Sequence, residues 1–412
     1  MKYGLIGEKL SHSFSKEIHE YIAGYTYELC ELSKDMLPSF FEKREFSAIN
    51  VTMPYKNTVI PYLDWVSDVA KELQAVNTIV NRNGKLYGYN TDYLGLTDMI
   101  KKSGIPIENK KVLVLGTGGT SRTSALVAKV LGAREVILVS RSVSQNAITY
   151  DEALLHHSDA EIIINATPVG MYPVPYSSPL DVSRFNKLRA VFDAVYNPLR
   201  TSIVLDTQNS EAYGESGLYM LVSQAVHAIE LFVGKDIDPA KANEVYKKII
   251  KEKENIVLIG MPSSGKTTVG TLLSQMLGRK LVDLDDEIEA KLGCTIAQYF
   301  ENHTEKDFRD VEEQVTKEIS MQNGIIIATG GGCILREANV RALRSNGRIY
   351  FIDRPKEELV PTFSRPLARQ SSDIEKLYQI RYPIYLDTCD VRIDASASPE
   401  SVALRIREEF NK

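Results

Sequence analysis

Residues 256–277 read IVLIGMPSSGKTTVGTLLSQML, an apolar strand, a glycine-rich turn and a helix in unbroken succession. Gly260, Gly265, Lys266 and Thr267 fill the pattern G-x-x-x-x-G-K-[ST]. Such a run leaves the backbone few choices. Its glycines let the chain curl until successive N–H groups face one centre, and the following helix adds the positive end of its dipole. The segment is expected to cradle nucleotide phosphates with Gly260, Ser263, Ser264, Gly265, Lys266, Thr267 and Thr268. Lys266 would reach the outer phosphates, and the Thr267 hydroxyl would hold Mg2+.

A second unit of this kind lies upstream, KKVLVLGTGGTSRTSALVAKVLGAREVILVSRS over 110–142. Its strands are apolar without alternation, as parallel strands covered on both faces are. Gly116 is placed to make a tight turn, and Gly118, with Gly119 beside it, to let a pyrophosphate approach the backbone. Ser121 stands where a strict G-x-G-x-x-G has its third glycine, so the turn alone is a weak sign. The end of the next strand says more. An acidic residue there would mark NAD, whereas Ser140, Arg141 and Ser142 offer a cation and hydroxyls to the 2′-phosphate of NADP.

The rest of the chain is consistent with a mixed α/β protein. Residues 75–92 read as two strands joined by Asn83-Gly84, a hairpin signal. Residues 217–234 form a long apolar helix, on which His227 is read as packing. The charged stretch 247–255 is read as a solvated helix end where the first part of the chain hands over to the second. Apolar residues make up 43% and charged ones 25%, which allows full-sized cores. A net charge of −5 argues against a nucleic-acid partner. Cys30, Cys294, Cys333 and Cys389 fit neither a zinc pattern nor a disulfide framework. No apolar run approaches a membrane span, and the start lacks a signal-peptide core, so a cytoplasmic location is expected. Oligomeric state is left open.

Past the phosphate turn come LVDLDDEIEAKLGCTIAQYFENHTEKDFRDVEEQV, IIIATGGGCIL, SRPLA and RYPIYLDTCDVRID. Together they resemble shikimate kinase across nearly the whole second part. The resemblance implies ATP as the nucleotide, with Asp283 helping Thr267 to position Mg2+. It implies that Asp285 binds the substrate hydroxyls and orients or deprotonates the attacking one. Arg309 and Arg381 would clamp the carboxylate, and Gly330, Gly331 and Gly332 would approach the substrate with bare backbone. Arg365 would act from a mobile lid near 356–370. That segment is short and lacks a further arginine that members often place ahead of Arg-Pro-Leu, a departure that bears on adenine clamping, lid closure and turnover and leaves open whether activity is lowered.

In the first part LSHSFSKEIHE, NVTMPYK, AVNT, GYNTD, GTGGTSR, NATPVGM, YNPLRT and MLVSQAVHAIELF follow in the order found in shikimate dehydrogenase. This resemblance implies a pocket of Ser13, Ser15, Thr52, Lys56, Asn77, Asp92 and Gln224. Lys56 and Asp92 would be the catalytic pair, because an ammonium beside a carboxylate can give a proton to a forming alkoxide and take it back. Lys56 is favoured as the acid/base, with Asp92 orienting it. Tyr219 departs from the family, which usually has a smaller side chain near the nicotinamide.

The expected architecture is an α/β substrate lobe over 1–100, rejoined by 218–250, and a Rossmann-like NADP lobe over 101–217. A P-loop, parallel-sheet kinase domain follows over 251–412. The expected function is a bifunctional oxidoreductase and kinase with NADP, ATP and Mg2+, acting on small molecules alone. A quinate/shikimate dehydrogenase using NAD is the enzymatic rival, which Arg141 opposes. A catalytically dead regulatory protein is the other, opposed by the presence of Lys56, Asp92, Lys266, Thr267, Asp283 and Asp285.

Overall fold

The unalternating apolar runs become buried strands, Lys111–Leu115, Ile162–Asn165 and Ala190–Asp193 early on and Asn255–Ile259 and Ile326–Ala328 later. The structure is a computed structural model that describes all residues except 11–12, 143–145 and 361–370. Two compact units make up the chain, Met1–Ile249 and Ile250–Lys412.

Among the described residues the first unit holds two six-stranded sheets. One is mixed, in the order Glu28–Glu31, Tyr3–Gly7, Ala48–Val51, Thr78–Arg82, Lys85–Tyr89 and Trp65–Val66. Its hairpin turns at Asn83 and Gly84, whose φ angles of 54° and 80° are the left-handed values a two-residue turn needs. The other sheet is parallel throughout, in the order Tyr213–Glu215, Ala190–Asp193, Ile162–Asn165, Lys111–Leu115, Glu135–Ser140 and Ile148–Thr149. The helix Leu218–Val233 leaves this second sheet and packs on the first. Its Ala228 and Phe232 share a core cluster with Leu5, Tyr27, Ala48 and Val80.

Among its described residues the second unit has one parallel five-stranded sheet, ordered Leu281–Asp283, Ile326–Ala328, Asn255–Ile259, Gly347–Asp353 and Val391–Asp394. Apolar clusters cover both of its faces. The mixed α/β class with parallel sheets is as the sequence implies. The stretch 247–255 needs a correction. The helix Ala240–Lys253 does end there, but Glu254 is buried and pairs with Arg348 at 3.1 Å, because the next strand begins at once and carries it into the core. Among the described residues no helix is long and apolar enough to cross a membrane.

One contact sets the spacing of two helices that matter below. Gly95 on the helix Asp92–Ser103 faces the Leu218–Val233 helix so closely that a Cβ there would lie 2.6 Å from the Met220 carbonyl oxygen and 2.9 Å from the Gln224 Cβ. Helix propensity favours alanine over glycine by about 1 kcal/mol, but here backbone is in the way. Gly95→Ala is expected to destabilise the first unit by about 1–3 kcal/mol. Denaturant unfolding would show it, and a variant at least as stable as the parent would mean that the two helices are not locked at this point.

Candidate active sites

In the mixed sheet, register gathers polar residues at one edge. Tyr3–Gly7 and Ala48–Val51 run parallel, and Thr78 lies opposite both Asn50 and Tyr89. Ser13, Ser15, Thr52, Asn77 and the start of the Asp92 helix therefore come off the same edge. Lys56 Nζ reaches Asp92 Oδ2 at 2.5 Å, with side chains 21% and 12% exposed. Its own main chain is tied down, since the Val76 N–H donates to the Lys56 carbonyl at 2.7 Å. Asn77 Nδ2 donates to the other Asp92 oxygen at 2.9 Å and reaches Gln224 Oε1 at 3.5 Å. Lys56, Asn77, Asp92 and Gln224 thus form one network. Ser13 and Ser15 are joined to each other, the Ser15 N–H donating to Ser13 Oγ at 3.2 Å, and Thr52 is held through its N–H to the Ile6 carbonyl at 3.0 Å.

Sequence reasoning missed two members. Thr91 donates to Gln224 Oε1 at 3.3 Å and accepts from Asn77 at 3.0 Å. Tyr196 packs its ring on Phe14, the residue between Ser13 and Ser15, 5.4 Å between centroids. Thr91 had no signal beyond adjacency to Asp92, while Tyr196 lay within YNPLRT. His227 also needs correcting. It is not packing alone, since Nε2 meets Asp98 at 2.8 Å and Nδ1 meets Glu230 at 3.1 Å. The Asp98 hydrogen bond raises its pKa despite burial. Tyr219 is buried against Tyr246, with Lys102 Nζ 4.8 Å from its ring centroid.

The glycine turn of the parallel sheet follows its central strand Lys111–Leu115, where strand order reverses and α/β sheets bind ligands. Gly116 has φ 108°, in the left-handed region. Gly118 caps the helix Gly119–Val130, and among the described residues nothing lies within 4 Å of where its Cβ would stand. Its backbone faces open space, as an approaching pyrophosphate requires. Ser140 ends its strand with Arg141 and Ser142 exposed beyond it, and the Ser140 hydroxyl turns back to the Ser142 carbonyl. The donors there suit a phosphate. Beside the turn, Asp193 is fully buried. It accepts from Thr201 Oγ1 at 2.6 Å, the Val195 N–H at 2.9 Å and Asn165 Nδ2 at 3.0 Å, tying together the loops after two strands.

In the second unit the phosphate turn follows the central strand Asn255–Ile259. Gly260 and Gly265 have φ 155° and 93°, and Ser263 has φ 65°. Lys266 Nζ donates to the Gly260 and Met261 carbonyls, both at 2.9 Å, and is 6% exposed. Among the described residues the buried Ser264 hydroxyl has no hydrogen-bond partner, while Thr267 and Thr268 are exposed. A nucleotide phosphate suits this set of donors. Thr267 Oγ1 donates to Asp283 Oδ2 at 2.7 Å, and Asp283 caps its helix through the Asp285 N–H. One hydroxyl and one carboxylate side by side suit a hard divalent cation.

Close approach governs the three glycines. A Cβ on Gly330 would lie 2.6 Å from Asp285 Oδ1, one on Gly331 2.9 Å from Pro262, and one on Gly332 would strike the Arg309 guanidinium. Arg309 itself is paired with Glu312 at 2.8 Å and Glu305 at 3.0 Å. Burial pushes the Glu312 carboxyl up against the pull of Arg309. Glu312, also missed, was legible as a residue three positions from Arg309 on one helix. Arg381 is 4% exposed, and desolvation lowers its pKa. Arg365 and most of the expected lid lie outside the described residues.

Residues 5–79 match the family model described as shikimate dehydrogenase substrate binding domain, and residues 262–411 match that of shikimate kinase. The shikimate dehydrogenase (NADP(+)) of Clostridium beijerinckii is 36% identical over 260 residues, 59% of this chain and 96% of that one. Among solved structures, shikimate dehydrogenase 1 of Peptoclostridium difficile is 34% identical with a TM-score of 0.56, covering 60% of this chain and 98% of its own. A chorismate mutase/shikimate 5-dehydrogenase fusion protein of Clostridium acetobutylicum is also 34% identical, with a TM-score of 0.57 over 60% and 96% of the two chains.

Asp193 generates a prediction on pH. Burial holds its carboxyl up at about 7 in spite of its three donors. A carboxyl that binds its proton more tightly folded than unfolded favours the fold at low pH. That stability is complete below the ordinary carboxylate pKa of about 4 and is lost as pH rises towards 7. Asp193→Asn is expected to shrink the loss of first-unit stability between about pH 4.5 and pH 8. Urea unfolding at the two pH values checks this, and an unchanged difference would remove Asp193 as its source.

Proposed function

The chain belongs to the shikimate dehydrogenase family in its first unit and carries a shikimate kinase domain in its second, and from this bifunctional shikimate-pathway enzyme we propose how residues divide two consecutive reactions. The first is reversible reduction of 3-dehydroshikimate to shikimate with NADPH. The second is phosphorylation of shikimate to shikimate 3-phosphate with ATP, on the route to chorismate and the aromatic amino acids. We assign 1–100 with 218–250 to the substrate lobe, 101–217 to the NADP lobe and 251–412 to the kinase.

The observation that carries the first half is the Lys56–Asp92 pair, at 2.5 Å and largely buried. Bound NADPH supplies a hydride to the carbonyl carbon. Lys56 then gives its proton to the carbonyl oxygen, and in reverse takes it from the hydroxyl. Asp92 holds the ammonium in place, and Asn77 holds Asp92. Asn77, Gln224, Thr52, Ser13 and Ser15 would bind the ring hydroxyls and carboxylate. Gly116, Gly118 and Gly119 would receive the pyrophosphate, and Ser140, Arg141 and Ser142 the 2′-phosphate.

In the kinase half Lys266 would turn from its own carbonyls to the outer phosphates of ATP, the source of the phosphoryl group. Gly260, Ser263, Ser264, Gly265 and Thr268 would enclose the phosphates. Thr267 and Asp283 would hold Mg2+. Asp285 would orient the attacking hydroxyl, Arg309 and Arg381 would clamp the carboxylate, and Gly330, Gly331 and Gly332 would leave room for the ring. Arg365 would meet the transferring phosphate. Four free cysteines support a cytoplasmic setting.

One mixture of the protein with 3-dehydroshikimate, NADPH, Mg2+ and ATP tests both halves, read by NADPH absorbance and by mass analysis of products. Lys56→Met is expected to slow NADPH loss by about 10²–10⁴-fold while shikimate added directly is still phosphorylated. Lys266→Met is expected to leave NADPH loss unchanged and to cut shikimate 3-phosphate by at least about 10²-fold. Loss of both activities in either variant would contradict this division.

A further inference from the structure

Tyr385 stands where the two ligand-facing loops of the second unit meet. It lies on the helix Ser371–Thr388, one turn beyond Arg381, and is fully buried. Its ring stacks on Phe351 of the central sheet, with centroids 5.0 Å apart and 16° between planes. Its hydroxyl is 2.9 Å from the Gly260 carbonyl oxygen and 2.5 Å from that of Gly331. Arg381, one turn earlier on the same helix, is 4% exposed.

A buried phenol needs a partner for its O–H, and one carbonyl would be enough. Here one proton faces two acceptors, the first residue of the phosphate turn and the middle residue of the substrate glycine loop. The Gly260 carbonyl has a second donor in Lys266 Nζ at 2.9 Å. If Lys266 leaves for a nucleotide phosphate, Gly260 loses that donor and draws on the phenol instead. Such a change would reach Gly331, whose carbonyl faces the same phenol proton. Whichever ligand binds first orders this junction for the second.

We propose that the Tyr385 hydroxyl is a positioning group that couples nucleotide binding to shikimate binding, an inference that rests on the kinase reading above. The coupling is reciprocal, because it belongs to the equilibrium and not to either site.

The test titrates the full chain with ADP and Mg2+, with and without saturating shikimate, by calorimetry. Shikimate is expected to tighten ADP by about fivefold or more in the parent and by less than about twofold in Tyr385→Phe. That variant keeps the ring against Phe351 and leaves Gly260 its Lys266 donor, so it is expected to fold. Phe351→Leu weakens the packing but keeps the hydroxyl, and is expected to unfold at lower temperature with the coupling retained. Equal coupling in the parent and Tyr385→Phe overturns the proposal, as does coupling lost in Phe351→Leu alike, or absent from a parent that binds both ligands. A parent that binds neither ligand overturns the kinase reading itself, and the proposal with it.

Discussion

A parallel strand buried on both faces can shed its connections only at its two ends, and helices must return the chain across the sheet. Both glycine turns obey this, one after Lys111–Leu115 and one after Asn255–Ile259, each at a central strand. The mixed sheet reaches the same result differently. Its antiparallel pair starts where its parallel pair ends, so the loop bearing Ser13 and Ser15, the loop from Thr52 to Lys56, and Asn77 all emerge at one edge. The hairpin then brings Asn90, Thr91 and Asp92 back to it. Residues 36 positions apart, Lys56 and Asp92, can meet because register leaves them little else to do.

The charges at these edges arrive already satisfied. Burying an unpaired charge costs several kcal/mol in effective terms, about as much as a domain can lose. Lys56 has Asp92, Arg309 has Glu312 and Glu305, and Lys266 has two carbonyls of its own turn. These differ from surface pairs such as Lys71–Asp68, where both side chains are mostly in water and little is gained. The form of satisfaction fits the task. Lys56 keeps a carboxylate that holds its ammonium in place. Lys266 rests on neutral carbonyls, which a phosphate, with its full negative charge, can outbid electrostatically.

What the sequence made legible follows from local rules. The glycine turns, the Asn83-Gly84 hairpin and the α/β class could be read because backbone conformation and burial pattern are nearly one-dimensional properties. The requirement for Gly330 and Gly332 was readable as a type, but its cause, the Asp285 and Arg309 side chains a Cβ would meet, is tertiary. Asp193 and Tyr385 were not legible, and Thr91 and Tyr196 showed only as a neighbour of Asp92 and a member of YNPLRT. Each is an ordinary residue whose role comes from what distant segments bring to it, as when Thr201 and Asn165 converge on Asp193. His227 shows both limits. Glu230, three positions on, was within reach of helical spacing, but Asp98 was not, since another helix supplies it.

The residues assigned to the first reaction fall between 13 and 224, and those of the second between 260 and 381. Neither set borrows from the other's stretch of chain. The chemistries also ask for different things. Ketone reduction needs one proton delivered to one oxygen, so it depends on a rigid ammonium, and the network of Asn77, Thr91 and Gln224 supplies rigidity with neutral hydrogen bonds. Phosphoryl transfer needs charge neutralised over several oxygens as two ligands come together, so it depends on cations that can change partners. Two units in one chain let each keep its own balance.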